Sequence, residues 1–268
     1  MTRIAIIDDY QEAALTLADW SSLSDAEIEV FPDAVKDPGK LIKRLEHFDV
    51  VQTMRERTAF PAEVLEGLPN LKLISATGRR LPHIDFEAAN RLGILVTATD
   101  GSGDTTSELV WGLILSLSRN IPWEDRQMRN GRWQTRLPVG LAGKTLGVLG
   151  MGRLGTKSAK IAQLFGMNII AWGPTLTAER AAASGATYVS WHELFAQADV
   201  LTIHVPLTDL SRGWVTEREL ALMKSTAFLV NTSRGPIVQE AALVRALQEG
   251  RIAGAGLDVF DEEPLPAD

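Results

Sequence analysis

The sequence predicts an α/β protein built from two parallel-sheet domains, because three of its features are typical of that fold class. Short apolar and β-branched runs alternate with helix-forming segments in both halves of the chain. One such run, Thr145–Leu149, continues directly into a glycine-rich turn and another helical segment. The chain has 268 residues, which is enough for two domains of ordinary size. We therefore expect two doubly wound sheets with helices on both faces.

Residues 1–99 are predicted to form the smaller domain, with a flavodoxin-like sheet. Helices are expected at Leu41–His47 and Phe86–Leu92. The polar stretch 100–104 contains two glycines and marks the boundary with the larger domain, residues 100–268. The strands of the smaller domain are expected at Arg3–Ile7, Ile28–Phe31, Val50–Thr53, Leu71–Ser75 and Ile94–Val96.

The larger domain is predicted to begin with a long buried helix over the apolar run Leu109–Leu117. The next segment, Ile121–Leu141, carries two tryptophans and several arginines between prolines and glycines. We expect it to be an irregular arm that packs on another subunit. The strands that follow are expected at Thr145–Leu149, Asn168–Trp172, Val200–Val205, Ala227–Asn231 and Gly254–Val259.

Gly150, Gly152 and Gly155 form the pattern Gly-x-Gly-x-x-Gly between a predicted strand and a predicted helix. In such a turn the first glycine permits the tight bend, the second lets the backbone approach a pyrophosphate, and the third lets helix and strand pack closely. The helix that begins at Arg153 directs unpaired N–H groups at the phosphates. The turn therefore predicts a Rossmann dinucleotide-binding domain.

Composition excludes several other classes of function. The net charge of −7 disfavours nucleic-acid binding, which needs a concentrated basic face. The sequence has no cysteine, which excludes disulfides and cysteine ligands. No apolar run is long enough to span a bilayer, and acidic residues interrupt the N-terminus where a signal peptide would stay apolar, so we expect a cytoplasmic protein without membrane contact. No metal site is expected, since metal-ligand spacing is absent among His47, His83, His192 and His204.

Seven motifs give the chain a resemblance to a known family. They are RERT at 55–58, ATGRR at 76–80, SELVWGLILSLSRN at 107–120, LAGKTLGVLGMGRLG at 141–155, HVPLT at 204–208, NTSRGPIV at 231–238 and GAGLDVFDEEP at 254–264. In this order and spacing the sequence resembles the D-isomer-specific 2-hydroxyacid dehydrogenases over nearly its whole length. The resemblance implies an NAD(P)-dependent oxidoreductase that interconverts a small, anionic D-2-hydroxy acid and its 2-keto acid by hydride transfer.

The resemblance also implies roles for individual residues. Arg234 would be the catalytic arginine that holds the carboxylate and carbonyl of the substrate, and its planar fork suits that task. Glu263 would be the catalytic acid that hydrogen-bonds a histidine and raises the pKa of that histidine. Asp258 would orient the nicotinamide carboxamide. The other cofactor-binding residues implied are Gly150, Gly152, Arg153, Leu154, Gly155, Gly173, Val205, Pro206, Thr232 and Ser233, besides Arg234, and the substrate-binding residues are Arg55, Gly78, Arg79 and Arg80.

The sequence departs from the family pattern where the histidine would be. The family's histidine and final helix follow the glutamate, yet the printed chain stops at Asp268. None of the four histidines present is assigned the role, so we expect a fragment of a homodimeric enzyme. If the chain truly ends there, the alternative is a catalytically impaired, dinucleotide-binding regulator. A weaker alternative is oxidation of formate or phosphite on the same scaffold.

The second departure concerns the cofactor. A carboxylate usually ends the second strand of an NAD-binding fold and holds the ribose hydroxyls. Gly173 occupies that position here, and Arg180 is the nearest arginine that could attract a 2′-phosphate. We therefore expect NAD as the cofactor and leave NADP open.

Overall fold

The computed structural model describes residues 1–78, 81–100 and 104–266. The chain divides into two compact units, Met1–Ser102 and Gly103–Asp268. Each unit holds one parallel sheet with interleaved helices, which confirms the predicted α/β class. The polar stretch that predicts the domain boundary lies largely outside the described residues, as do the predicted substrate-binding residues Arg79 and Arg80.

The first unit contains a five-stranded parallel sheet in the order β2-β1-β3-β4-β5, which is the flavodoxin-like order. Its strands are β1 (Thr2–Ile7), β2 (Ala26–Phe31), β3 (Val50–Thr53), β4 (Leu73–Ala76) and β5 (Leu95–Ala98). Its helices are α1 (Ala14–Leu17), α2 (Pro38–Leu45), α3 (Ala62–Glu66) and α4 (Phe86–Arg91). Asp37 and Asp85 cap α2 and α4, because their carboxylates accept hydrogen bonds from N–H groups of the first turns.

Only one face of the first sheet is covered by the described helices α2, α3 and α4. Their buried side chains pack with Ile7, Val51 and Ile74 in one apolar core. Side chains of the opposite face, such as Ile4 and Val50, instead line a cavity of about 530 Å³. This opposite face is also apolar and partly covered, since Ile6 is fully buried and Trp20 lines the same cavity. Alternation of strands and helices along the chain does not fix the face on which each helix packs.

The second unit contains a six-stranded parallel sheet in the order β11-β10-β9-β6-β7-β8, the order of a Rossmann domain. The strands are β6 (Thr145–Leu149), β7 (Asn168–Trp172), β8 (Thr187–Tyr188), β9 (Val200–Ile203), β10 (Phe228–Asn231) and β11 (Gly254–Leu257). The helices are α5 (Asp104–Ser118), α6 (Ile121–Arg129), α7 (Arg153–Leu164), α8 (Ala178–Ala183), α9 (Trp191–Gln197), α10 (Glu217–Leu222) and α11 (Glu240–Gln248).

Both faces of the second sheet are covered, as predicted. One apolar core contains side chains of α9, α10 and α11, and the other contains side chains of α5, α7 and α8. Gly147 in β6 allows the first of these cores to close, since a Cβ there would lie 2.8 Å from the Cβ of Ala198. The carboxyl ends of β6, β9 and β10 consequently lie side by side at one edge of the sheet.

The segment expected to be an irregular arm differs from its prediction. Residues Ile121–Arg129 form α6 rather than irregular chain. Pro122 is compatible with this helix because it lies in the first turn, where a missing N–H costs no hydrogen bond. Residues 132–140, which follow α6, do lack regular secondary structure. Across the described ranges, no helix combines the length and the apolar character that crossing a membrane requires.

Candidate active site

The glycine-rich turn after β6 brings helix α7 into close contact with the strand. Gly150 has a φ of +99°, and a Cβ there would lie 2.8 Å from Cγ1 of Val205. A Cβ on Gly155 would lie 2.2 Å from the carbonyl oxygen of Gly150. By contrast, a Cβ on Gly152 would meet no described atom within 4 Å. Two of the glycines are therefore required by the packing of the protein itself, whereas Gly152 borders open space at the start of α7.

Arg234 follows β10, which is separated from β6 in the sheet only by β9. Thr232 and Ser233 connect the last residue of β10, Asn231, to Arg234. The Arg234 residue is half-buried, and its Nη1 donates a 2.6 Å hydrogen bond to the carbonyl oxygen of Ser233. Ser233 in turn donates from Oγ to the carbonyl oxygen of Val205 at 2.5 Å. These contacts hold the guanidinium at the carboxyl edge of the sheet, beside the strand end that contacts Gly150.

Two further residues fix this turn, and the sequence analysis did not select either of them. Asn231 is buried, its Nδ2 donates to the carbonyl oxygen of Arg234 at 2.9 Å, and its Oδ1 accepts from the N–H of Ser233 at 3.0 Å. A Cβ on Gly235 would lie 2.1 Å from the backbone carbon of Phe260. Both belong to the NTSRGPIV motif, but the motif alone does not show which of its residues shape the turn.

Because Gly235 has no Cβ, the backbone of the segment after β11 packs against the turn that contains Arg234. Asp258 is exposed, and its N–H donates to the carbonyl oxygen of Asn231 at 3.1 Å. Glu263 is half-buried, and its Oε1 accepts a 3.1 Å hydrogen bond from the N–H of Phe260. The structure thus brings Arg234, Asp258 and Glu263 onto neighbouring segments of one edge.

The remaining predicted cofactor residues line the same edge. Thr232 is buried, and its Oγ1 has no hydrogen-bond partner among the described residues, so an acceptor or donor from a ligand would satisfy it. Arg153 is exposed at the first position of α7, Leu154 is half-buried, and Pro206 is exposed after β9. The open space beside Gly152 and the unsatisfied hydroxyl of Thr232 fit a bound dinucleotide.

Gly173 closes the edge on the other side of β6, directly after β7. A Cβ on Gly173 would lie 3.5 Å from the Cβ of Leu176, which is an ordinary van der Waals distance. Beneath it Trp172 packs against Trp191 and Trp214, with ring centroids 4.7 Å and 5.6 Å away. This aromatic cluster anchors the strand end, and the sequence analysis did not identify it because its members are far apart along the chain.

In the described part of the second unit, neither His192 nor His204 is hydrogen-bonded to Glu263. His47 and His192 are exposed. Both ring nitrogens of His83 are buried without a hydrogen-bond partner in the described structure, and burial lowers the pKa of His83. His204 lies at the end of β9, where its Nε2 is 3.0 Å from Oγ1 of Thr202.

His204 should make the protein sensitive to mild acid. Burial lowers the pKa of His204 from 6.5 to about 4, so its imidazole is neutral in the folded protein at pH 7. The unfolded chain protonates this residue below pH 6.5, and stability is therefore lost as the pH falls from 6.5 towards 4. Between about pH 7.5 and about pH 5 the free energy of unfolding should fall for both proteins. We expect the fall to be about 2 kcal/mol smaller for His204→Gln than for the unmodified protein. Urea unfolding at the two pH values measures the difference, and equal losses would contradict it.

In the first unit the structure places two predicted substrate-binding residues on adjacent strand ends. Arg55 follows β3, is exposed, and has a φ of +56°. Its N–H donates to Oγ1 of Thr77 at 2.8 Å, next to Gly78 at the end of β4. The N–H of Gly78 donates to Oγ1 of Thr99 at 3.2 Å. Threonine hydroxyls therefore fix the backbone of both predicted residues.

A buried carboxylate at the end of β1 also supports this region. Oδ2 of Asp8 accepts a hydrogen bond from the Thr58 hydroxyl at 2.8 Å, and burial raises the pKa of Asp8. The backbone carbonyl of Asp8 accepts from Nη1 of Arg57, whose guanidinium lies 4.3 Å from the centroid of the Tyr10 ring. The sequence analysis missed Asp8, although a polar residue directly after a strand was the available signal.

Comparison with protein families matches residues 111–268 to the family described as "D-isomer specific 2-hydroxyacid dehydrogenase, NAD binding domain". Among curated proteins, the chain is 41% identical over 249 residues to the glyoxylate reductase of Thermococcus litoralis, covering 89% of this chain and 75% of that protein. It is 38% identical over 268 residues to the D-3-phosphoglycerate dehydrogenase of Methanocaldococcus jannaschii, covering 98% of this chain but only 50% of that protein.

Solved structures give the same result. A phosphoglycerate oxidoreductase from Vibrio cholerae O395 superimposes with a TM-score of 0.93 at 39% identity, covering 100% of this chain and 87% of that one. The apo structure of D-lactate dehydrogenase from Escherichia coli has a TM-score of 0.82 at 26% identity, covering 98% of this chain and 85% of that one.

Proposed function

Because the chain belongs to the D-isomer specific 2-hydroxyacid dehydrogenase family, we propose that it interconverts a small D-2-hydroxy acid and its 2-keto acid. The NAD-binding domain and the dehydrogenase relatives support NAD as the cofactor. When bound, the nicotinamide cofactor would supply hydride exchange with C2 of the substrate, and the proton of the C2 hydroxyl would leave to, or come from, a separate acid–base group. The observation that carries the proposal is the placement of Arg234 on the same sheet edge as the glycine-rich turn.

The residues of this edge have separate tasks in the proposal. The N–H groups at the start of α7 would hold the pyrophosphate beside Gly152. The hydroxyl of Thr232, which lacks a partner within the described structure, supplies a polar contact to the dinucleotide. Asp258 would accept a hydrogen bond from the nicotinamide carboxamide and so orient the ring.

Arg234 binds the substrate carboxylate and polarises its carbonyl oxygen. A guanidinium is charged at every working pH, and its planar fork can make two parallel hydrogen bonds to a carboxylate. The hydrogen bond from Nη1 to Ser233 restricts the rotamers of the side chain before the substrate arrives. Such preorganisation lowers the barrier, because the donor is already in place when negative charge develops on the carbonyl oxygen.

Proton transfer is proposed to involve a group that pairs with Glu263. The contact of Glu263 with the N–H of Phe260 fixes the carboxylate beside the arginine turn. We do not assign the proton to any of the four histidines in the printed sequence. His204 is neutral at pH 7 and its Nε2 is 3.0 Å from Oγ1 of Thr202, and His192 is exposed.

Turnover of 2-keto acids tests the proposal. The protein purified from its native source is mixed with NADH and with glyoxylate, pyruvate or phosphohydroxypyruvate, and the loss of reduced nicotinamide is followed by absorbance. We expect at least one of these acids to be reduced. For pyruvate and phosphohydroxypyruvate, whose products are chiral at C2, we expect the reverse reaction to consume only the D-hydroxy acid. Binding of NADH without turnover of any acid would favour a dinucleotide-binding regulator, and oxidation of formate or phosphite with NAD would identify the remaining alternative.

We also propose that the protein is a homodimer in which the segment Ile121–Leu141 contacts the second copy. This segment is held by its own contacts, such as the 2.7 Å hydrogen bond from Nε1 of Trp123 to Thr135. It nevertheless exposes large apolar side chains, among them Leu137 at 92% and Trp133 at 71%. Exposed apolar surface of this kind is typical of a subunit interface.

Substituting the exposed apolar side chains of this segment should dissociate the dimer. We expect the double variant Trp133→Glu/Leu137→Glu to sediment as a monomer at concentrations where the unmodified protein is a dimer, because two charges would be buried without partners. Leu210→Glu is the matched control, since Leu210 is 83% exposed on the same unit outside this segment. A double variant that stays dimeric would place the interface elsewhere.

A further inference from the structure

The two arginines of segment 55–58, which follows β3, have different surroundings. Arg55 is exposed at the carboxyl edge of the first sheet. Arg57 is half-buried, its Nη1 donates to the backbone carbonyl of Asp8 at 2.9 Å, and its guanidinium lies 4.3 Å from the centroid of the Tyr10 ring. Arg57 is therefore engaged with the chain that follows β1, whereas Arg55 is the arginine of this segment that a substrate can reach.

Arg55 adopts a backbone conformation that an arginine rarely takes by itself. Its φ of +56° lies in the left-handed region, which costs free energy in a residue with a Cβ. Such a conformation persists only where neighbouring contacts fix it. One of these contacts is at the start of the segment, where the N–H of Arg55 donates to Oγ1 of Thr77 at 2.8 Å. The others are at the end of the segment, where Thr58 contacts the chain after β1.

Asp8, the residue after β1, provides the contacts at the end of the segment. Asp8 is 1% exposed, and its Oδ2 accepts a 2.8 Å hydrogen bond from the hydroxyl of Thr58, which is also buried. Its backbone carbonyl accepts from Arg57. These contacts are possible because β1 and β3 are neighbouring parallel strands, with Ile6 opposite Gln52. Asp8 therefore holds the segment both through its side chain and through its backbone.

We infer that Asp8 is a positioning residue for the proposed reaction. By binding Thr58 and Arg57 it fixes the backbone of segment 55–58, and this presents the guanidinium of Arg55 to the carboxylate of the substrate. The inference rests on the proposed function and on the substrate-binding role predicted for Arg55. Because Asp8 is buried, it acts through Arg55 and not by touching the substrate. Loss of Asp8 should therefore weaken substrate binding, which raises KM and leaves kcat nearly unchanged.

Two substitutions of Asp8 test the inference. Asp8 has a φ of +61°, which glycine and asparagine both adopt readily, but only asparagine keeps an oxygen that accepts from the Thr58 hydroxyl. We expect Asp8→Gly to raise KM for the 2-keto acid about 10-fold or more and to change kcat by less than about 3-fold, because a displaced guanidinium binds a carboxylate weakly. Asp8→Asn should keep KM within about 3-fold of the unmodified value. Calorimetric titration of oxalate, an unreactive dicarboxylate, in the presence of NADH should show the same pattern in Kd.

A second variant removes the same hydrogen bond from its other partner. Thr58→Val keeps the shape of the side chain and lacks the hydroxyl, so it should raise KM as Asp8→Gly does. Asp37→Ala is the matched control for loss of stability, because Asp37 caps α2 in the same unit by accepting from the N–H of Lys40 at 2.8 Å. Its urea unfolding midpoint should fall, whereas its KM should not change.

A double-mutant cycle distinguishes positioning of Arg55 from a general effect on the unit. Arg55→Gln removes the guanidinium and should raise KM about 10-fold or more. In the Arg55→Gln background, Thr58→Val should have no further effect on KM. Effects that add in full, or a KM that neither Asp8→Gly nor Thr58→Val changes, would overturn the inference while the proposed reaction stands. If the unmodified protein reduced no 2-keto acid, the proposed function would fail and the inference with it.

Discussion

Replacing Arg234 with glutamine is expected to lower kcat/KM for the 2-keto acid by about 100-fold to 1,000-fold, the usual effect of removing one preorganised donor to a developing oxyanion. Arg234→Lys should recover only a small part of the loss, because an ammonium group keeps the charge but lacks the fork that binds a carboxylate through two hydrogen bonds. The Arg234 side chain is held by the carbonyl oxygen of Ser233, so neither variant removes a contact from the apolar core.

The measurement is steady-state reduction of the keto acid with saturating NADH, paired with titration of adenosine 5′-monophosphate. Adenosine 5′-monophosphate should bind equally to the unmodified protein and to both Arg234 variants, since the adenosine ribose is predicted to bind at the end of β7 and not at the end of β10. Arg234→Gln with nearly full activity would exclude Arg234 as the catalytic arginine. Parallel loss of activity and of adenosine binding would show that the substitution disrupts the whole unit.

Substitution of Gly155 by alanine is expected to lower the free energy of unfolding by about 3 kcal/mol or more, the upper range for overpacked sites. The added Cβ would lie 2.2 Å from the carbonyl oxygen of Gly150, and a backbone atom cannot move aside as a flexible side chain can. Helix α7 would have to separate from β6, which would also displace the groups that bind the pyrophosphate.

Gly152→Ala is the matched control in the same motif. A Cβ on Gly152 meets no described atom within 4 Å, so its unfolding free energy should change by less than about 1 kcal/mol. Its affinity for NADH should nevertheless fall about 10-fold or more, because the methyl group would occupy the space predicted for the pyrophosphate. Chemical unfolding and NADH titration of both variants check the pair. Unchanged NADH binding by Gly152→Ala would mean that the phosphates lie elsewhere.

The sequence by itself determined the fold class and the family. Strands at Val50–Thr53, Thr145–Leu149 and Asn168–Trp172 have the predicted bounds, because their apolar side chains are buried by any parallel sheet covered with helices. The glycine-rich turn and the turn of the NTSRGPIV motif were also predicted from the sequence, since the residues that form each turn are adjacent along the chain. Local sequence encodes such features because the interacting groups are neighbours along the chain.

Contacts between residues distant in sequence were decided only by the tertiary structure. The sequence did not show that Gly235 admits the backbone of Phe260, that Ser233 donates to Val205, or that Arg180 turns back to Thr175. It also failed to show that a helix, α6, begins at Ile121 and contains Pro122 in its first turn. Each of these outcomes depends on which segments pack together in space. Which segments pack together depends on the free energy of the whole fold, so the sequence of a single segment does not predict it.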